Sequence, residues 1–352
     1  MRQSIDIVLG LGYGDEGKGR VVDQLCSRKI EPIVVRFSGG QQCGHTVINQ
    51  YGKHIHASFP SGTLAGHDGY ISEHCTVSPT HLVNEWKVLS RLQNGNPKLF
   101  IHPHAMVTTP WDIRKNREDV SNIQHGTCGM GVGATVKRHT ETPYKFHVID
   151  LFNDELLLAK LDQFNNQYGN ISTSSDLKDF HDSVITFRNI VKLSVYNVLK
   201  NYSDIVFEGS QGILLDKDHG VFPHVTNSNT TSKNALEIIN NLQTNSDVRM
   251  HYVTRCYSTR HGNGPFPNEA TLNLKNTAYE INVCNKWQGA FKTRKLDLKL
   301  IRHAIDIDTS YHSVGVTRSL HVTCLDQLEN TINFEKEFSQ FEVHSYNQPH
   351  QL

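Results

Sequence analysis

Ile5, Ile7, Val8 and Leu9 form a short apolar run that ends in the glycine-rich stretch GLGYGDEGKG. Such a run predicts a strand buried on both faces, as in a parallel sheet. Val21, Val22 and Leu25 then recur at helical spacing, and Ile33 to Phe37 is a second apolar run that opens into SGGQQCGH. The pattern predicts strand, glycine loop, helix, strand: a βαβ unit with a functional loop after each strand.

Further along, Ser78-Pro79 marks a helix start, because Ser is a favoured N-cap and Pro suits the first helical position. Leu82, Val83, Trp86, Leu89 and Leu92 follow as its apolar stripe. A second long helix is predicted from about Leu177 to Lys200, with Thr173-x-x-Asp176 as its capping box. FNNQYGNISTSS reads as a surface loop. Asp204–Phe207, Val248–Cys256 and Ser319–Thr323 are predicted strands, the first opening into EGSQG. No repeat, low-complexity tract or linker interrupts the chain. The reading is a single α/β domain over residues 1–352, a large, mostly parallel central sheet with helical insertions over roughly 78–200.

Composition narrows the function. Lys plus Arg total 35 and Asp plus Glu total 35, so no global field draws nucleic acid, and aromatic-basic clusters are absent. An anionic ligand must therefore be held by a local site. The 7 Cys are odd in number, scattered and without a C-x-x-C pair, which predicts neither a disulfide framework nor a zinc ribbon. A reducing, cytoplasmic setting is expected. The first apolar run is too short for a signal peptide or a membrane span, and no membrane association is expected.

Gly12 to Gly19 carries the spacing G-x-x-x-x-G-K between a predicted strand and a predicted helix. That is the context of a phosphate loop: backbone N–H groups face phosphate oxygens and the helix N-terminus adds positive potential. Lys18 would reach the terminal phosphates. Gly19 stands where such loops usually carry the Ser or Thr that binds magnesium, and a carboxylate, Asp15, lies inside the loop. A carboxylate facing polyphosphate is repelled unless a metal lies between them or it performs proton chemistry. Asp15 is thus the most informative residue of the loop.

GYGDEGKG resembles the phosphate loop of the adenylosuccinate synthetase family. RFSGGQQCGHTVI, HASFPSG, FEGSQGILLDKDHGVFPHVTNSNTT, TRHGNGPFPNE and VTCLDQLE resemble further motifs of that family in the family's order. At 352 residues the chain looks like a short form. The resemblance implies a GTP-dependent ligase that condenses IMP with L-aspartate, uses Mg²⁺ and works as a homodimer. In such enzymes O6 of IMP is phosphorylated by GTP, and the aspartate amine then displaces that phosphate.

The same resemblance implies roles for individual residues. Asp15 matches the general base and a magnesium ligand, and Gly44 would offer its carbonyl to the metal. His45 matches the catalytic acid between the 6-oxygen and the γ-phosphate. Gln211 would read the O6/N1 edge of the base, since an amide both donates and accepts. Gly14, Glu16, Gly17, Lys18, Gly19 and Thr46 join the expected GTP site with Gly44 and His45. Asp326 would read guanine, which presents two adjacent donors to one carboxylate.

Gln42, Cys128, Arg138, Thr226 and His261 are the remaining expected IMP contacts. Gln42 and Cys128 stand where the family has Asn and Thr. Lys292, Thr293 and Arg294, in NKWQGAFKTRKLD, are expected to hold aspartate, a guanidinium fork being suited to a carboxylate. The family's C-terminal S-T-G-P-x-R segment is missing, and the tail is expected to supply no replacement. Two alternatives stay open: a phage-type enzyme that takes dGMP, in which a small residue such as Ser replaces the loop carboxylate, and a non-catalytic GTP-binding switch.

Overall fold

The computed structural model describes residues 2–93, 95–119, 126–169, 174–267, 272–275, 280, 282, 287, 290–313, 315–329 and 332–347. In chain order the strands are β1 (Gln3–Gly10), β2 (Ile33–Arg36), β3 (His45–Asn49), β4 (Gly52–His56), β5 (Asp68–Ile71), β6 (Thr76–Val77), β7 (Leu99–Ile101) and β8 (Met106–Val107). They continue as β9 (Val191–Leu193), β10 (Asp204–Glu208), β11 (Ser246–Arg255), β12 (Tyr257–Arg260), β13 (Lys292–Lys295), β14 (Thr317–Thr323) and β15 (Glu342–Ser345). The helices are α1 (Lys18–Ser27), α2 (Pro79–Gln93), α3 (Pro110–Glu118), α4 (Val132–Glu141), α5 (Asp154–Tyr168), α6 (Ser174–Ile190), α7 (Lys233–Leu242), α8 (Leu298–Thr309) and α9 (Phe334–Glu337).

Among the described residues, nine strands form one sheet in the order β15-β14-β11-β1-β10-β2-β5-β7-β9. Every neighbouring pair in it is parallel. The fold is therefore α/β with a large parallel sheet. Ile5, Ile7, Val8 and Leu9 of β1 are fully buried, as an unbroken apolar run demands of a central parallel strand. The predicted β1-α1-β2 unit holds, but β10 lies between its two strands. β1 is thus flanked by β10 and β11, both contributed by later parts of the chain, and the strand order reverses there. A reversal of this kind opens a crevice at the C-terminal edge of the sheet.

The segments that leave that edge near β1 are those after Gly10, Arg36, Glu208, Arg255 and Thr323. They carry GYGDEGKG, SGGQQCGH, GSQG, the turn into TRHGNG and CLD. The side-chain core is divided by the sheet. One cluster packs β1, β10 and β11 against α7 and α8 through Ile238, Ile239, Ile301 and Ile305. A second joins β5, β7 and β9 to the helices between residues 79 and 190. A third lies under α1, through Val21, Val22 and Cys26.

The helix after residue 78 starts at Pro79, as predicted, although the Ser78 hydroxyl bonds His81 rather than a helix amide. The long helix predicted to reach Lys200 stops at Ile190, because Val191–Leu193 pairs with β7 at the sheet edge. β-branched Ile190 and Val191 suit that switch. The Thr173 half of its capping box lies outside the described residues. Among the described residues no helix is long and apolar enough to cross a membrane.

Candidate active site

A cavity of about 760 Å³ opens at the crevice beside β1. Its lining brings together Gly14, Asp15, Gly17, Lys18, Gly19, Gln42, Gly44, His45, Thr46, Cys128, Gln211, Thr226 and His261. These residues come from six separate stretches of the sequence. Lys18, Lys137 and Arg260 line the cavity, and among the described residues Asp15 is its only carboxylate. The net positive lining suits anionic ligands. Gln42 Oε1, Thr46 Oγ1 and His261 Nδ1 are buried polar atoms with no protein partner. Such atoms are uncommon and call for a ligand or water.

The loop is held from within. Glu16 is buried and accepts from the amides of Gly12 (3.0 Å) and Gly14 (2.9 Å) and from Lys18 Nζ (2.7 Å). Its carboxylate therefore braces the loop, and Glu16 is not part of the cavity lining. Asp15 sits at φ 63°, in the left-handed region, and its carbonyl accepts from Arg255 Nε at 2.6 Å. The Asp15 carboxylate lies 3.6 Å from His261 Nε2. Burial raises its pKa; His261 and Arg255 pull the other way without cancelling that rise.

Gly19 has a packing reason. A Cβ there would meet the His45 Cβ at 3.0 Å and the Ser61 hydroxyl at 3.1 Å. The first turn of α1 thus presses on β3, and a Ser or Thr side chain would displace His45. Close approach, not metal ligation, selects the residue at this position.

His45, the first residue of β3, is buried and its Nδ1 lies 2.7 Å from Glu208 Oε1. Glu208 ends β10 and is fully buried. Ser61 serves it twice, through its hydroxyl and through its amide at 3.0 Å. Burial works to raise the Glu208 pKa, but His45, Arg36 and Ser61 together hold it well below the ordinary carboxylate range. Burial depresses the His45 pKa, and Glu208 opposes that only in part. Glu208 fixes the tautomer: Nδ1–H donates to the carboxylate and Nε2 is left for the cavity. Sequence reasoning missed Glu208. It stands in FEGSQG beside the chosen Gln211, but only strand pairing shows that it meets His45.

Gln211, also left-handed at φ 55°, places its Nε2 3.4 Å from Cys43 Sγ and packs directly beside Gly14 of the phosphate loop. Cys128 is partly exposed, and burial pushes its thiol up to about 11, so it enters any contact as a neutral group. Thr226 is fixed by its amide, which donates to the Leu215 carbonyl at 2.8 Å.

Arg138 does not line this chain's cavity. Its guanidinium donates bidentately to Asp112, both bonds at 2.9 Å, and also to the carbonyls of Tyr144 and Val107 at 2.7 Å. Lys137, one residue earlier, faces the cavity instead.

Lys292, Thr293 and Arg294 lie on β13, antiparallel to β12. Lys292 Nζ donates to the Gly262 carbonyl at 2.8 Å, and the Arg294 guanidinium lies 5.8 Å from the Phe266 ring centroid. They border the His261-Gly262 rim rather than line the cavity. Asn285, Lys286, Gln288 and Gly289 of the same loop lie outside the described residues.

Asp326 lies in the short turn after β14, away from the main cavity. β15 pairs with β14, and Tyr346 just beyond it bonds the backbone of Val322 and Leu325. The Arg20 guanidinium lies 4.5 Å from the centroid of its ring. The tail is therefore tied to the T-C-L-D turn through its backbone, while the Tyr346 ring stacks on His321.

A phosphate loop, a carboxylate within it, and a buried His–Glu pair facing one cavity at a strand-order reversal define a nucleotide-binding α/β protein. The model of the adenylosuccinate synthetase family matches residues 7–347, and the chain belongs to that family. An adenylosuccinate synthetase from Buchnera aphidicola is 30% identical over 359 residues, covering 94% of this chain and 78% of the relative. One from Helicobacter acinonychis is 33% identical over 281 residues, and the match spans 76% of this chain but 66% of the relative's length.

Among solved structures, a fully ligated adenylosuccinate synthetase from Plasmodium falciparum is similar with TM-score 0.71, at 20% identity, covering 90% of this chain and 76% of that one. The succinoaminodeoxyadenylate synthetase (PurZ) of cyanophage S-2L, bound to dGMP and dATP, is similar with TM-score 0.70 at 15% identity. That likeness covers 99% of this chain and 94% of the phage enzyme. At these identities the two structures speak for the fold.

Proposed function

We propose that this chain is a GTP-dependent ligase that condenses IMP with L-aspartate to adenylosuccinate, releasing GDP and phosphate. The observation that carries the reading is the joint presence of Asp15, His45 and Gln211 on one cavity lined by a phosphate loop. A binding switch needs the loop but has no use for the other three.

Asp15 takes the N1 proton of the hypoxanthine, which makes O6 nucleophilic toward the γ-phosphate of GTP. A base must be ionised yet basic, and a carboxylate raised by burial meets both needs near neutral pH. His45 Nε2, left for the cavity, would meet the charge that moves between O6 and phosphate. An anionic phosphate there favours the imidazolium that burial alone disfavours, and Glu208 supports it from behind. In the second step the aspartate amine attacks C6, the C6–O bond breaks, and phosphate leaves. Lys18 and the loop amides hold phosphate, and Gln211 pairs with the lactam edge of the base.

Asp15 and the Gly44 carbonyl are hard oxygen donors on the same cavity, which fits Mg²⁺. When bound, the ion would neutralise phosphate charge. Asp326 is our choice for reading guanine, with Tyr346 and Arg20 at the edge of that pocket. Lys292 and Arg294 are the candidates for the aspartate carboxylates. Cys128, Thr226, Gln42 and His261 complete the IMP side. A cytoplasmic homodimer is the assembly this reading expects.

The test is to supply GTP, Mg²⁺ and L-aspartate with either IMP or dGMP and to follow succinylated product by mass and ultraviolet spectrum. Product from IMP, lost in Asp15→Ala, supports the reading. Product mainly from dGMP replaces it with the phage-type activity. GTP binding with no product from either would leave a switch.

A further inference from the structure

Behind the active site lies a second group of ligand-type side chains. β4 alternates: Ile55 lines the cavity, while His54 and His56 point to the other face, toward α2. There they meet Glu85 of α2. His54 Nε2 lies 3.2 Å from Glu85 Oε1, and His56 Nδ1 lies 3.9 Å from the same atom. The two imidazoles are edge to face, with centroids 4.6 Å apart. One ligand atom from each of the three residues falls within 4.8 Å of the others.

Two features separate this cluster from a chance meeting of polar groups. First, His56 is fully buried, yet neither of its ring nitrogens has a partner. A neutral imidazole carries one donor and one acceptor, and leaving both unmade in the interior is costly. Second, Glu85 is locked in place. Its oxygens accept from the amides of Ala57 (3.2 Å), Ser58 (2.5 Å) and Phe59 (3.3 Å). A carboxylate fixed by backbone amides and two imidazoles at strand spacing i, i+2 form a preorganised N,N,O set. Charged or titratable neighbours on the other packed elements are Arg36 on β2, Glu208 on β10 and His45 on β3.

We propose that His54, His56 and Glu85 bind a divalent transition metal ion of the zinc type, at a site separate from the magnesium site of the reaction. Two imidazoles and one carboxylate, with a water in the fourth position, is a donor set suited to zinc, whose nitrogen bonds run to about 2.0–2.1 Å. The observed spacings need only small side-chain shifts to reach it. The ion would tie the β3–β4 hairpin to α2. His56 pairs directly with His45 in that hairpin, so the metal would stiffen the strand that carries the proposed acid.

The test uses the untagged full-length chain, stripped with chelator and then titrated with Zn²⁺ or Co²⁺ in excess Mg²⁺. The readouts are bound metal per chain, the visible absorption of four-coordinate cobalt, and the melting temperature. We expect one tightly held ion per chain, a rise in Tm on binding, and loss of both in His54→Gln. His104→Gln is the control for the other group of this kind, Glu73, His102 and His104, and is expected to leave binding unchanged. Should His54→Gln fold poorly, X-ray absorption of the zinc-loaded wild type decides, with scattering from two imidazoles expected. Wild type that holds no zinc, binding that survives His54→Gln, binding lost in His104→Gln, or fewer than two imidazoles around the ion would each overturn the proposal.

Discussion

The Nδ1 of His45 lies 2.7 Å from a carboxylate oxygen of Glu208, and both are buried behind the phosphate loop. Neither residue lies in that loop. β10 brings Glu208 next to β1, and the turn after β2 brings His45 across α1. The pair acts as a unit, so its members are expected to be non-additive. His45→Asn should lower kcat by about 10²-fold or more, the usual worth of a positioned acid. Glu208→Gln should lower it by about 10-fold to 100-fold, as loss of an orienting partner does. The double variant should be no worse than His45→Asn alone. Steady-state kinetics of the three variants checks this, and multiplicative losses would show that the residues act separately.

Asp15 couples function to stability. Its folded-state pKa is raised, chiefly by burial. Whatever stability the protonated form contributes is complete below the unfolded value and is lost as pH rises through the folded one. At neutral pH the carboxylate is therefore a liability to the fold. Asp15→Asn should raise Tm at pH 7 while abolishing ligase turnover. In the wild type, kcat/KM should fall on the acid side with a midpoint above that of an ordinary Asp. Thermal melts and a pH–rate profile measure the two halves.

Asp23 on α1 obeys the same sign without a catalytic part. It is buried, its Oδ1 accepts from Asn49 Nδ2 at 2.9 Å, and burial pushes it up to about 6. Its contribution is full below about pH 4 and is lost as pH rises toward about 6. Asp23→Asn should gain on the order of 2–3 kcal/mol at pH 7 and almost nothing at pH 4. Chemical denaturation at both pH values would expose an error in sign.

Arg138 and Asp112 form a buried bidentate pair. Removing one partner leaves the other charge uncompensated, which costs about 3–5 kcal/mol. Arg138→Met should lower stability by that order and leave the KM for nucleotide near the wild-type value at temperatures where the variant stays folded. A selective rise in the KM for IMP would return Arg138 to the nucleotide site.

Gly19→Ser restores the hydroxyl that phosphate loops usually carry. Its Cβ would sit 3.0 Å from that of His45. The variant is expected to lose about 10-fold or more in kcat through displacement of His45. Tighter magnesium activation with kcat intact would show that space exists for the hydroxyl.

The sequence by itself determined the local pieces. An apolar run followed by a glycine loop and a helical stripe could only be a strand, a phosphate loop and a helix, because buried strands and helix starts leave short-range signatures. The order of motifs in the chain also carried the family, and it singled out Asp15, Lys18, His45 and Gln211, which line one cavity. Tertiary structure decided everything that depends on which strands lie side by side. Insertion of β10 between β1 and β2 put Glu208 behind His45, and nothing in FEGSQG announces that partner. Packing of α1 on β3 explained Gly19, and an ion pair with Asp112 took Arg138 away from the cavity. Pairing of β15 with β14 made Tyr346 a neighbour of Asp326. Sequence spacing encodes contacts within a few residues; contacts between distant segments are set by the register of the whole sheet, which no single motif contains.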